Sequence, residues 1–271
     1  MFKIAQIGWI AVLLLSSLIR TSLPFSFGYQ KEVKFVRERG TEYDRYLLAT
    51  SWAGSTCKFH HCTHYGSDEI FNLHGLWPST ARASPFDCVK TNFKEQNLSP
   101  YLKQNLFIYW NSFYHDNWEF LDHEITKHGS CWRPEYGNLK VMDPSLASII
   151  KTYDAKDDYS KINTFLTLTI ELSMLINPYK VLKENGIVPS NNRTYNIDDI
   201  IAIFSNLHNQ ENTVMPVCLA EKSTGALYIA ELRFCLDLEY KPIECSLGEM
   251  KRQLKRCRSS PLRYPLFPLN K

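Results

Sequence analysis

Apolar positions along this chain follow two recurring periods, and the periods divide it into elements. Tyr46 to Trp52 is a short apolar run, and Ile70 to Trp77 is a second one stopped by Pro78; both predict strands. Leu98 to Phe113 has the length and spacing of a helix, entered through Ser99 as cap and Pro100 in the first turn. Trp118 to Lys127 predicts another helix, ended by Gly129. Ser160 to Asn177 carries the strongest helical signal. Ile162, Phe165, Leu166, Ile170, Leu172 and Leu175 mark its apolar side, and Pro178 closes it. Asn196 or Asp198 caps a further helix through Leu207. Thr213 to Ala220 and Ala226 to Leu238 are apolar, β-branched runs with Ser223-Thr224-Gly225 between them, and predict strands. The tail from Ser259, with Pro261, Pro265 and Pro268, predicts extended chain. Helices and strands mix without a regular βαβ alternation, which predicts an α+β fold.

The first segment stands apart from this pattern. Lys3 is followed by an almost wholly apolar run from Ile4 to Ile19, with no acid before Glu32. A short basic start and a short apolar run predict a secretory signal peptide over about residues 1–28, cleaved between Thr21 and Gln30. The run falls short of the ~20 apolar residues that a membrane-spanning helix needs, and Arg20 ends it, so no stable membrane association is expected. Residues 29–271 contain no repeat, low-complexity tract or long linker, and predict one domain, with a monomer as the default. Loss of Lys3 and Arg20 lowers the formal charge from +3 to +1. A near-neutral chain cannot hold nucleic acid by bulk electrostatics, so any such contact must come from a local site. Eight cysteines behind a signal peptide predict disulfides formed in an oxidising compartment, with on the order of a hundred possible pairings. The sequons at Asn97 and Asn192 predict glycosylation at surface asparagines.

The chemistry concentrates in Phe71-Asn72-Leu73-His74-Gly75-Leu76-Trp77-Pro78 and in His123-Glu124-Ile125-Thr126-Lys127-His128-Gly129-Ser130-Cys131. On a helix, Glu124 meets Lys127 and His128 at three and four residues, and His123 meets Lys127 at four. A zinc-protease helix would need its histidines four apart; here they are five apart, with a lysine where the second ligand should stand. No metal is therefore expected. The Cys57-Lys58-Phe59-His60-His61-Cys62-Thr63-His64 segment also mixes ligand types, but in a secreted chain it predicts a small disulfide loop. Histidine, with an ordinary pKa of ~6.5, gives or takes a proton near neutrality. Two of them, one accepting and one donating, are what internal transesterification of RNA needs, and a nearby cation and carboxyl group can stabilise its charged transition state.

Both segments resemble the two active-site segments of the ribonuclease T2 family, the secreted and lysosomal or vacuolar acid ribonucleases. Leu182 to Ser190 with Tyr195, and Cys218 with the Glu231-Leu232-Arg233-Phe234-Cys235 strand, resemble later parts of the same family, so the likeness spans nearly the whole mature chain. The resemblance implies an antiparallel sheet packed with several helices and stabilised by disulfides. It implies an endoribonuclease acting on single-stranded RNA through 2′,3′-cyclic phosphate ends, without cofactor. By motif position His74 would be the general acid and His128 the general base, with Glu124 and Lys127 assisting at the phosphate and His123 helping to hold it. Trp77 and Phe120 match positions that stack on bases, and Asn111 is a candidate base contact. The resemblance also implies the pairs Cys57–Cys62, Cys88–Cys131, Cys218–Cys257 and Cys235–Cys245. The chain departs from the family at Ser79, where an acidic residue is frequent, at Leu121, where an aromatic is common, and at Ile125, which replaces a usual tryptophan. Two other readings stay open: a catalytically silent relative with a binding or storage role, and a metal-dependent hydrolase. The destination is the extracellular space or a lysosome or vacuole.

Overall fold

The computed structural model describes residues 42–64, 66–134 and 143–267. The expected signal peptide and Pro268 of the tail lie outside the described residues. Among the described residues, no helix is long and apolar enough to cross a membrane.

The centre is a six-stranded sheet of β1 (Arg45–Ser51), β2 (Asn72–Ser79), β3 (Thr194–Tyr195), β4 (Val214–Ala220), β5 (Leu227–Leu236) and β6 (Leu262–Arg263). The long strand β5 organises it. β4 pairs along one edge of β5, while β1 and the short β6 share the other, β1 against Glu231–Leu236 and β6 against Leu227–Tyr228. Every pairing is antiparallel except β5 with β6. β1 lies between β2 and β5, which is why Leu48, Ala49 and Thr50 are fully buried and why its sequence shows no polar alternation. The β2 strand does not stop at Pro78 as expected; it runs on to Ser79, with Pro78 opposite Tyr46. β2 is an edge strand, and a missing N–H is tolerated on an edge.

Eight helices surround the sheet among the described residues: α1 (Ala53–Phe59), α2 (Pro100–Tyr109), α3 (Asn117–Lys127), α4 (Pro144–Ile150), α5 (Asp158–Ile176), α6 (Pro178–Glu184), α7 (Ile197–His208) and α8 (Leu247–Cys257). Ser99 caps α2 through Leu102 N–H as its sequence requires, but α2 ends at Tyr109 rather than Phe113. Trp110 leaves helical geometry to bury its indole, and the carbonyl of Phe113 instead accepts from the backbone of Thr63 and His64. Asp116 caps α3 by accepting from the N–H groups of Trp118 and Glu119. Its far end is capped by His128, and Gly129 opens a 3₁₀ turn rather than a left-handed stop. Gly129 is needed there because a Cβ would run into the Phe165 ring of α5 at 2.8 Å. Asn177, in the left-handed region, ends α5, and Pro178 both closes that helix and begins α6. Asn196, rather than Asp198, caps α7.

The core between sheet and helices holds Trp52, Trp110, Trp132, Phe165, Phe204 and Phe234, each at most 2 % exposed. A fully buried side chain of this class stabilises the fold by roughly 1.5–3 kcal/mol, so the core outweighs any surface ion pair. The tail is extended as expected and is pinned: Trp52 Nε1 donates to the Pro265 carbonyl at 2.8 Å and Ser190 N–H to the Tyr264 carbonyl at 2.7 Å. All eight cysteines are paired, as Cys57–Cys62, Cys88–Cys131, Cys218–Cys257 and Cys235–Cys245. Cys88–Cys131 ties the 3₁₀ turn after α3 to the loop that follows β2. Of the sequon asparagines, Asn192 is exposed and Asn97 is half-buried.

Candidate active site

His74 owes its position to an irregularity in β2. Ala49 of β1 pairs with Gly75 and Thr50 with Leu73, so His74 is the extra residue of a β-bulge. A bulge leaves one residue out of the ladder and re-aims its side chain. The backbone there is still held, because Trp110 Nε1 donates to the His74 carbonyl at 3.0 Å. The imidazole is half-buried and meets two carboxylates. Nδ1 lies 2.8 Å from Glu231 Oε1, and Nε2 lies 3.8 Å from Glu124 Oε1.

Glu124 comes from the inward side of α3 and is 3 % exposed. Its other oxygen accepts from Trp77 Nε1 at 2.8 Å. Gly75 makes this approach possible, since a Cβ there would collide with the Glu124 carboxylate and the Trp77 indole nitrogen. Burial pushes the Glu124 carboxyl above the ordinary range, against the opposing pull of His74, Trp77 and Lys127. Burial lowers the proton affinity of His74 too, but the hydrogen bond and charge of Glu231, with the charge of Glu124, outweigh it and raise the net value.

His128 also meets Trp77, with ring centroids 5.2 Å apart, while His74 meets the same indole at 5.0 Å. Its surroundings are opposite in sign. Burial, followed by the charges of Lys127, His123 and His74, depresses its pKa to about 3. Its Nδ1 is buried without a hydrogen-bond partner. His123 is exposed, and burial with Lys127 and His74 lowers its pKa as well. Lys127 is half-buried on the same turn.

The structure thus brings His74, Glu124, His128, Lys127 and His123 into one interacting cluster, and it separates the base-contact candidates. Trp77 is 8 % exposed, donates to Glu124 and lies beneath the Arg233 guanidinium at 5.1 Å. It is packed into the floor of the site, with Arg233 over its ring. Phe120 is half-buried, 5.8 Å from His74, and borders a cavity of about 170 Å³ lined also by Ser51, Leu73, His74, Asn111 and Glu231. Asn111 reaches this cavity, but its amide is engaged by Asn72 and by the Ser112 carbonyl. His60, stacked on Tyr114 at 4.8 Å, lines the same cavity, whereas His61 and His64 are simply exposed. The Cys57–Cys62 disulfide consumes both sulfurs of the zinc-like segment, and the residues before His60 form α1 rather than a loop. Among the described residues, no group of three His, Cys, Asp or Glu side chains converges as a metal site.

Glu231 and Arg233 have no role in the sequence reading beyond marking the C-terminal strand. They occupy one face of β5, two residues apart, and the pairing of Glu231 with His74 crosses 157 positions of chain. The detectable signal is two opposite charges inside an otherwise apolar strand.

Residues 43–245 match the Ribonuclease T2 family, a span that includes every residue of this cleft. The chain belongs to the ribonuclease T2 family. Among curated relatives, this family member is 24 % identical over 151 residues to Ribonuclease T2 of Aspergillus oryzae, covering 53 % of this chain and 50 % of the relative. It is 27 % identical over 160 residues to Ribonuclease DdI of Dictyostelium discoideum, covering 59 % of this chain and 61 % of the relative. The chain therefore spans about half to three-fifths of the length of these two curated relatives. Among solved structures, RNase NT in complex with 5′-AMP superposes with a TM-score of 0.62 at 20 % identity, covering 83 % of this chain and all of that one. Ribonuclease MC1 from bitter gourd seeds gives 0.56 at 20 % identity, covering 75 % and 94 %. These structures share the T2 fold.

Proposed function

We propose that the protein is a metal-independent endoribonuclease that cleaves single-stranded RNA by acid–base transphosphorylation. The observation that carries this reading is the opposite polarisation of two histidines that both contact one indole. His128, held neutral, accepts the proton of a ribose 2′-OH. The 2′-oxygen bonds to the adjacent phosphorus, the bond from phosphorus to the 5′-oxygen breaks, and His74 donates the Nε2 proton to that leaving oxygen. The products are a 2′,3′-cyclic phosphate and a 5′-hydroxyl. Glu124, with its raised carboxyl, and Lys127 face the charge that grows on the phosphoryl oxygens, and His123 holds the phosphate from the exposed side. Phe120 offers its ring to a base in the adjoining cavity, where stacking contributes ~1–3 kcal/mol. The same reading has residues 1–28 removed as a signal peptide and the mature chain sent through the secretory pathway, the compartment in which four disulfides form and persist.

The test is incubation of the purified protein with RNA, with and without EDTA, beside His74→Ala and His128→Ala. Activity that survives EDTA and produces cyclic phosphate ends is expected. Activity abolished by EDTA overturns the metal-free mechanism. An inactive wild type between pH 4 and 8 means a silent relative, and full activity in either variant overturns the histidine roles.

A further inference from the structure

We infer that Glu231 is a positioning residue for His74, fixing its ring so that Nδ1 is always the occupied nitrogen and Nε2 always the one presented to the leaving group. This rests on the acid role proposed for His74.

The contact is built from three strands. Glu231 pairs across β1 with Ser51 and across β4 with Val217, next to a second bulge between Val217 and Cys218. Both carboxylate oxygens are spoken for. Oε1 faces His74 Nδ1 at 2.8 Å and accepts from Ser51 Oγ at 3.5 Å, and Oε2 takes two contacts from Arg233, Nε and Nη2, each at 2.7 Å. The Glu231 side chain is 13 % exposed. Arg233 is itself braced over the Trp77 ring. An anchor fixed at both ends cannot follow the imidazole, so the imidazole must follow it.

The consequence is a matter of protons. Burial would raise the Glu231 carboxyl, but the hydrogen bond and charge of His74, with Arg233, hold it down at about 2. It is an anion at any working pH and can only accept. Nδ1 must then carry hydrogen in both charge states of His74. When the imidazolium gives up a proton it does so from Nε2, and the neutral ring left behind is the Nδ1–H tautomer that Glu231 already holds. No ring flip or tautomer exchange separates one turnover from the next. An orienting carboxylate of this kind sets which nitrogen is reactive in other acid–base sites.

The other charged groups facing His74 do not supply this. Glu124 approaches Nε2, the opposite nitrogen, and His123 and His128, from α3 and its cap, have lowered proton affinities and offer no anion to Nδ1. Arg233 acts through Glu231 and opposes protonation of His74 by its own charge. Glu231 and Arg233 therefore push His74 in contrary directions.

The experiment compares wild type, Glu231→Gln and Arg233→Gln by two readouts. The first uses no RNA: ¹⁵N-detected NMR titration of His74. Wild type is expected to show neutral His74 as the Nδ1–H tautomer. Glu231→Gln is expected to mix tautomers and lower the titration midpoint, and Arg233→Gln to raise it. The second is the pH profile of RNA cleavage, in which Glu231→Gln is expected to lower kcat by about 10–100-fold, with KM little changed and the alkaline limb moved to lower pH. An unchanged His74 tautomer and midpoint in folded Glu231→Gln overturns the inference. So does movement of both variants in the same direction. Because the NMR arm needs no turnover, a wild type that cuts no RNA would defeat the proposed function while leaving this result readable.

Discussion

His74 and His128 are the same residue placed in two different parts of the fold, and the contrast explains why both are needed. His74 stands on a bulged edge strand, half-buried, between two carboxylates. His128 stands at the C-terminus of α3, beside Lys127 and His123, with one ring nitrogen buried and unbonded. A helix C-terminus by itself favours a protonated histidine by ~0.3–1 kcal/mol. Burial with Lys127 and His123 overrides that preference and leaves His128 neutral. A strand would not by itself charge a histidine either; Glu231 and Glu124 do so against the cost of burial. Secondary structure positions each ring, and the neighbours assign it a proton.

The largest effect comes from erasing either side of the contrast. His74→Ala and His128→Ala are each expected to lower kcat/KM by about 10²–10⁴-fold, the range for a lost general acid or base. The double variant should fall little further, because the two act as a unit; a fully multiplicative loss would show that they act independently. The contrast also fixes the shape of the wild-type pH profile. The base works only when neutral, so the rate should fall as pH drops through about 3. The acid works only when protonated, and its proton affinity is raised, so the alkaline limb should lie at higher pH than an ordinary imidazole would give. A profile that keeps rising from pH 7 to 9 would refute this assignment.

A smaller effect is expected from Lys127→Gln, which alters only the His128 side. Removing the cation raises the proton affinity of His128, so the acidic limb of the profile should move to higher pH while the alkaline limb stays. The rate should fall about 10-fold, less than the ~10²–10³ of a buried preorganised donor, because Lys127 is half-buried and partly screened by salt. Rate measurements at pH 3 to 8 separate the limb shift from the loss in kcat.

How much of this was legible in the sequence follows from the range of the contacts. Glu124, Lys127 and His128 sit within one turn of α3, so their spacing exposes them. His74 and Trp77 share β2, and the pairing of all eight cysteines agrees with the resemblance. Glu231 escaped because its partner is far along the chain, and the two charges inside apolar β5 mark an unusual position without saying what they contact. The bulge at His74 escaped for a related reason: it exists only in the register of β2 against β1. The packing of Trp77 under Arg233 was not legible either, because Arg233 comes from another strand. Helix α8 was missed although Met250, Leu254 and Cys257 bury one stripe at helical spacing, since its remaining positions are mostly charged or polar. α1, α4 and α6, at seven residues each, are too short for periodicity to declare them.

The smallest expected effect on catalysis probes what holds each histidine in place. His128 is followed at three residues by Cys131, whose disulfide to Cys88 spans 43 positions, while His74 is held by strand pairing and the Trp110 indole. A loop of that length contributes about 4 kcal/mol of stability in the chain-entropy description. Cys88→Ser with Cys131→Ser should therefore lower Tm substantially. Below the new Tm, however, α3 still carries its Asp116 cap, its buried Leu121 and Ile125, and Gly129 against Phe165. The rate at 25 °C should fall less than about 10-fold, the order of ~1.4 kcal/mol in the barrier. The loss should sit in the His128-dependent acidic limb, with the alkaline limb unmoved. If both limbs shift together, the two histidines are braced by one shared framework rather than by separate ones, and the disulfide serves the whole cleft.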